Sequence, residues 1–428
     1  MKASPAARDT ARSLTIIGIL FFVFGFVTWL GSVLIPYLRI ACQIDNFSSY
    51  LVAFSFYISY AVFALPSAAL LRRTGYKKGM ALGLVLMAAG TGCFIPAALT
   101  RAYPLFLTGL FIQGSGLAIL QTAVNPYVTI LGPMDSAARR ISIMGICNGV
   151  AGIVAPLIIG AYTLKDADAI RANSLTLPAA RRTELLDGLA HRAIPPYAVM
   201  SLVLLALAAW VLYSALPEVR ADDAGEAAAG DVAEQGKSSL LHHPHLLLGA
   251  MTLFLYVGVE VIAGDTIIGY GASQGIKMNT ARFFTSVTLF NMLIGYLIGI
   301  LLIPRYLSQP TALKISSGLG LCFAAVALST HGITSIFFVA LLGLANALVW
   351  PSIWPLAIDG LGKLTAIGSS LLIIAIGGGA LLPLGYGWLA DHFSPRGAYW
   401  IVVPCYACIG WYAFRGRLIG RRSVATPN

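Results

Sequence analysis

Two carboxylates stand where a carboxylate is costly to keep. In the run YVGVEVIAGDTIIGYG, Glu260 and Asp265 are embedded among apolar and small residues. A charge at the centre of a bilayer costs about 2.5–3.5 kcal/mol on the insertion scale, so an acid retained there binds a cation, contacts a polar cargo or closes a structural hydrogen bond. On a regular helix the two lie about 7 Å apart along the axis and roughly 140° apart around it. One cation can touch both only if Gly258 or Gly264 lets the helix unwind. Otherwise one acid lines a cavity and the other serves a structural pair.

Amides form a second set. In GSGLAILQTAVNPYVTILGP, Gly114, Ala118, Gln121 and Asn125 recur at spacings of four, three and four, which puts them on one helix face, with Gln113 on a neighbouring face. Asn148, Asn291 and Asn346 are further amides central to apolar runs. An amide both donates and accepts, which suits sugar hydroxyls; the competing use is as glue between helices. Aromatic residues complete the set. Trp29 and Ser32 share a face with Gly25 and Pro36, while Trp350 and Trp354 follow Asn346 at i+4 and i+8. An aromatic face can pack against the C–H face of a pyranose. Trp354, near the end of its run, reads instead as an interfacial anchor, and Asp359 as a gate or surface residue. The candidate substrate-binding residues are therefore Trp29, Ser32, Gln113, Gln121, Asn125, Asn148, Asn291, Asn346 and Trp350, and the candidate cation-coupling residues Glu260 and Asp265.

Other chemistry has little footing. No GxxxxGK[ST], HExxH or GxSxG motif occurs and no nucleophile with a base stands out, which argues against a nucleotide-driven pump or a membrane hydrolase. The six cysteines are scattered and suggest no disulfide framework. Cys405 and Cys408 have CxxC spacing without His or acidic neighbours and read as small core residues. No metal site or cofactor is expected; sodium or a proton is the candidate coupling ion.

The elements that must hold these residues follow from composition. Hydrophobic residues make up 58% of the 428, charged residues 11%, and mean hydropathy is +0.82; a soluble chain carries roughly 25% charged residues. Apolar runs of the length that crosses a bilayer recur throughout. They predict twelve helices, near 14–38, 48–71, 79–99, 104–130, 141–164, 194–216, 245–271, 281–303, 311–330, 333–358, 366–390 and 396–415. The first run is too long for a signal-peptide core and reads as an uncleaved span. An even number puts both termini on one side. That side carries 18 of the 28 Lys and Arg residues, so it is expected to be cytoplasmic in an inner membrane. The net charge of +11 thus points to phospholipid headgroups and not to nucleic acid. The connection 165–192, of mixed charge, would be external. The stretch ADDAGEAAAGDVAEQG would lie in a flexible cytoplasmic linker, dividing the chain into a six-helix bundle 1–216, a linker 217–244 and a second bundle 245–428.

An internal comparison supports that division. A shift of 227 residues lays Gly152, Pro156 and Gly160 on Gly379, Pro383 and Gly387, Gly116-Leu117-Ala118 on Gly343-Leu344-Ala345, and Phe111 on Phe338. A duplicated six-helix unit explains a shared offset across two helices, and in such duplications the cargo binds near mid-bilayer between the halves.

On these residues the chain resembles a known family. FFVFGFVTWLGSVLIPYL, QTAVNPYVTILGP with SAARRISIMGICN, YVGVEVIAGDTIIGYG, and WPSIWPLAIDGLGK with its GSSLL continuation are similar to the fucose:proton symporter family of the major facilitator superfamily, and within it to the glucose/galactose transporter branch. The resemblance spans both halves. It implies the all-α, twelve-span major facilitator fold, alternating access, a sugar in the central cleft, and symport with a cation. The departures are specific. Fucose permeases look to depend on an acid where this chain has Ser32 and another where it has Gln121. The glucose/galactose branch usually shows Asn at Gly31 and Lys at Gly149. In the loop RRTGYKKG, Arg72 takes the superfamily's usual Asp place.

The expectation is a secondary transporter, not an enzyme, acting as a monomer on a neutral hexose, with Glu260, alone or with Asp265, as the remaining cation site. A sugar uniporter, an exporter of amphiphilic compounds and a sugar-sensing receptor are the rivals.

Overall fold

The computed structural model describes residues 5–130, 137–214, 216, 243–303, 305–359, 361 and 365–419, with side chains described outside 5–12, 125–142, 175, 362–367, 369 and 370. Every element among the described residues is helical. Twelve spans are long and apolar enough to cross a membrane: α1 Ser13–Ala41, α2 Leu51–Thr74, α3 Tyr76–Thr100, α4 Tyr103–Val124, α5 Ile143–Thr163, α6 Ala179–Tyr213, α7 Pro244–Asp265, α8 Met278–Leu302, α9 Gln309–Ser329, α10 Gly332–Ile358, α11 Leu371–His392 and α12 Gly397–Leu418. In lipid a backbone satisfies its polar groups only within a helix or a closed barrel, and these runs take the first route.

The ends of the spans have local causes. Asp45 caps the short helix Asn46–Ser49 by accepting from Ser48 N at 2.8 Å, so α2 begins at Leu51 and not at 48 as its apolar run suggests. The Ser48 hydrogen bonds hold the Asp45 carboxyl below the usual carboxylate range. Gly75, at φ 76°, ends α2 in a conformation that a Cβ disfavours. The expected connection 165–192 is itself helical, Ala167–Thr176 and Ala179–His191. Its second helix buries Leu186, Leu189 and Ala190, and Tyr37 Oη donates to the Leu189 and Ala190 carbonyls at 2.9 and 2.8 Å. The proposed linker lies, but for its last two residues, outside the described residues. All six cysteines are free thiols; burial pushes that of Cys42, beyond the end of α1, up to about 11.

The repeat is visible in the packing. In the first half α3 packs on α4 and α6, α2 on α4, and α1 on α5; in the second α9 packs on α10 and α12, α8 on α10, and α7 on α11. Each pairing recurs six spans later. The two bundles meet where α5 packs on α8 and α11 on α2, which are again equivalent. The aligned glycines occupy matching positions. Gly152 lies against Trp29 of α1 and Leu289 of α8, and Gly379 against Val261 of α7 and Tyr57 of α2. Within the first bundle, a Cβ on Gly83 would stand 2.8 Å from the Gly116 carbonyl oxygen, so α3 and α4 approach as closely as small residues allow.

With twelve spans, α1 and α7 both run away from the end that holds the termini. At the far end the halves are joined. Asp391 at the end of α11 accepts from Asn46 N at 3.2 Å, Asn46 Nδ2 at 2.5 Å and Phe47 N at 2.7 Å. Asp168 accepts from Met278 N at 2.7 Å, Arg282 donates to the Gly160 carbonyl at 3.3 Å, and Ser286 to that of Ile153 at 2.9 Å. Tyr50 meets Tyr386 edge to face at 5.5 Å.

Candidate functional site

Several spans are interrupted, and three of the interruptions fall at candidate residues. α1 consists of Pro5–Thr28 and Gly31–Ala41, with Trp29 and Leu30 in the turn. The helix of α7 ends at Asp265 and is followed by Ile267–Ser273; α10 is Gly332–Asn346 followed by Val349–Ile358. Side chains fix the α7 break. Thr285 Oγ1 donates to the Gly264 carbonyl at 2.7 Å, and Thr266 Oγ1 reaches Ile262 O at 2.7 Å and Tyr399 Oη at 2.6 Å. Such discontinuities leave backbone and side chains free for a cargo where a continuous helix would not.

The indole of Trp29 is wedged between the halves. A Cβ on Gly152 of α5 or on Gly264 of α7 would collide with it, and it forms a small core with Leu289, Met292 and Ala347. Trp29 thus seals the far side of the middle of the molecule. Ser32 is fully buried and donates to the Trp29 carbonyl at 2.8 Å.

Glu260 sits on the other side of that seal. From Tyr256 to Ile268 every residue is buried except Glu260, while Gly264 and Asp265 beyond it are packed against the first half. Tyr256 Oη donates to Glu260 Oε1 at 2.7 Å. The Tyr256 ring lies 6.4 Å from that of Trp350, which stacks on Trp354 at 5.4 Å and 27°. A carboxylate, a phenol and an indole face are thus brought together by α7 and α10. In the first half Gln121 follows eight buried residues of α4 as the first accessible one. Asn148 is accessible too, its Nδ2 3.5 Å from the Phe21 carbonyl, and Asn291 donates to the Ala340 carbonyl at 3.3 Å.

Asp265 faces elsewhere. It is 1% exposed, and its Oδ1 has no hydrogen-bond partner. It borders a closed-in void of about 10 Å³, room for one water molecule, with Thr28, Gly31, Phe56, Tyr57 and Gln113. Helix α7 keeps its regular turn through Gly258 and Gly264, so the two acids point apart and do not share one ion. Gln113 spends its amide on Thr91 Oγ1 at 2.8 Å, and Asn346 Oδ1 accepts from Tyr406 at 2.8 Å. The Asn125 side chain lies outside the described residues. Tyr256 and Tyr406 join the candidates only in the structure. The i, i+4 spacing of Tyr256 and Glu260 was a readable signal for the first, whereas nothing in the chain order pairs Tyr406 with Asn346.

Comparison with known proteins agrees with this architecture. The Major Facilitator Superfamily model matches residues 17–377. The glucose/galactose transporter of Brucella abortus biovar 1 (strain 9-941) is 33% identical over 416 residues, covering 96% of this chain and 94% of its own length. The L-fucose-proton symporter of Escherichia coli (strain K12) is 27% identical over 378 residues, covering 87% and 85%. Among solved structures, the major facilitator transporter FucP in its outward conformation superposes with TM-score 0.72 at 25% identity, over 95% of this chain and 99% of that one. A D-xylose-proton symporter at 15% identity, over 96% and 99%, shares the fold with TM-score 0.69. The chain is a multi-pass membrane protein of twelve spans, and it belongs to the major facilitator superfamily.

Proposed function

We propose that this protein carries a neutral hexose of the glucose/galactose kind across the inner membrane by alternating access, coupled to a cation. The observation that carries the reading is Glu260, the one residue of its stretch of α7 that is not buried, held by the buried Tyr256 beside the half-buried, stacked faces of Trp350 and Trp354. The carboxylate, oriented by the Tyr256 phenol, supplies acceptors for hydroxyls, and the indole supplies a surface for the sugar's C–H face. The glucose/galactose transporters among the relatives support the same cargo, and the L-fucose-proton symporter supports a sugar moved with a proton. With 18 of the 28 basic residues on the side of the termini, both termini are cytoplasmic and the site in this state opens inward. The bundles are 1–216 and 245–428, joined by a cytoplasmic linker 217–244, and one copy of the chain suffices.

Glu260 is the coupling residue. A carboxylate in a cavity can be neutralised by a proton or by sodium, and coupling requires that ion and sugar favour each other's binding, a reciprocal free energy. The test is uptake of radiolabelled hexose into proteoliposomes with sodium and pH gradients imposed separately. One gradient should drive accumulation, and Glu260→Gln should abolish accumulation while sparing counterflow. Undiminished accumulation by Glu260→Gln would remove this acid from coupling. Indifference to both gradients would make the protein a uniporter.

A further inference from the structure

Asp265 is the single residue of the second half that borders the void; every other lining residue comes from α1, α2 and α4 of the first. The carboxyl is thus inserted across the interface between the halves into a pocket belonging to the opposite bundle. The pocket supplies no countercharge. Tyr57 of α2 and Tyr50 just before it face the acid, and Arg39 and Asp391 act on Tyr50; α1 offers Thr28 and Gly31, and α4 offers Gln113, already bound to Thr91. On its own helix, Glu260 points to the accessible side. A water in the void could hydrogen-bond Oδ1 but could not neutralise it. Gly31 makes the fit possible, since a Cβ there would stand 2.8 Å from Asp265 Oδ2.

The geometry points to Asp265 as a proton lock on the far gate, distinct from the coupling acid. When the halves part at the far end, Asp265 leaves its pocket, meets water and ionises. Closure returns it to a pocket that holds at most one water and no cation, and an unpaired charge there is strongly unfavourable, so the carboxylate takes one proton from the far-side solution and enters as the neutral acid. No other bond forms or breaks. Closure of the far gate therefore takes up a proton, and opening releases it to the side from which it came. This rests on the alternating access proposed above but not on the identity of the sugar.

Spin labels at Thr183 and Ser329, exposed at the far end in one half each, would read the gate by distance in a cysteine-free background. With one linked proton, the ratio of far-end-open to closed molecules should rise by up to about tenfold per pH unit. Asp265→Asn should remove that slope and keep the gate closed as pH rises. Gly31→Ala should push the carboxylate from its pocket and open the gate at pH values where the natural protein is closed, which tests the lock even if Asp265→Asn fails to fold. A slope unchanged in Asp265→Asn, a natural protein indifferent to pH, or a distance that follows sodium at constant pH instead would each overturn the proposal. A gate that obeys pH in a protein that moves no hexose would sink the proposed cargo and leave the lock standing.

Discussion

Gln121 puts an amide on α4 that the structure leaves accessible while neighbours of the same chemistry are engaged. Gln113 is held by Thr91, and Asn346 accepts from Tyr406 through Oδ1 while its buried Nδ2 is without a partner. An amide spent on a neighbour is costly to free, because the partner is left unsatisfied in a dry core. We therefore expect Gln121→Ala to weaken hexose binding about tenfold, the loss of one hydrogen bond of roughly 1.4 kcal/mol, measured as the half-saturation concentration for counterflow. Gln113→Ala should instead lower thermal stability, since it removes the buried hydrogen bond that Thr91 Oγ1 accepts and leaves a gap in the core. Residue type was legible in the chain; which amide was already occupied was not, because the partners lie 22 and 60 positions away. The two acids were more readable. Their separation around the helix implied different roles, and Glu260 faces accessible space while Asp265 faces a closed pocket.

At the level of elements, the twelve spans and their order could be read from hydropathy, but their interruptions could not. Breaks at Trp29, Asp265 and Asn346 are fixed by tertiary partners such as Thr285 on the Gly264 carbonyl; Gly31 and Gly264 stand beside two of them, but Gly258, equally permissive in the chain, lies in unbroken helix. The helices of 167–191 were missed for a related reason: their apolar residues are few and find cover only against Tyr37 and its surroundings. The short elements at the far end act as latches. Asp391 of the second half holds the start of Asn46–Ser49, and Asp168 of the first holds the start of α8, at equivalent points of the repeat. Hydrogen bonds to a charged group contribute about 1.5–3 kcal/mol each. Asp391 accepts three and Asp168 one. Replacing Asp391 by Ala should therefore shift molecules toward the far-end-open state more than Asp168→Ala does, by at least about tenfold in the population ratio, read as cysteine accessibility at the far end.

For the whole molecule, the 227-residue offset foretold two equivalent bundles, and the packing pairs repeat six spans apart. If the bundles are separate folding units, a chain cut within 217–242 and expressed as two pieces should reassemble and retain hexose counterflow at a rate within a few-fold of the intact protein; pieces that never associate would contradict the division. Which end is closed was not readable, since closure depends on contacts between bundles and local sequence records only contacts within them. The far-end seal makes this concrete. Of the six hydrogen bonds described across it, five end on a backbone atom: the amides of Asn46, Phe47 and Met278 and the carbonyls of Ile153 and Gly160. Every residue type but proline offers that same amide, and all offer that carbonyl. Asp168, Arg282, Ser286 and Asp391 are thus answerable to selection while the positions they grip can drift. Covariation across a family, which needs two side chains changing in step, would be nearly blind to the joint on which the gate turns.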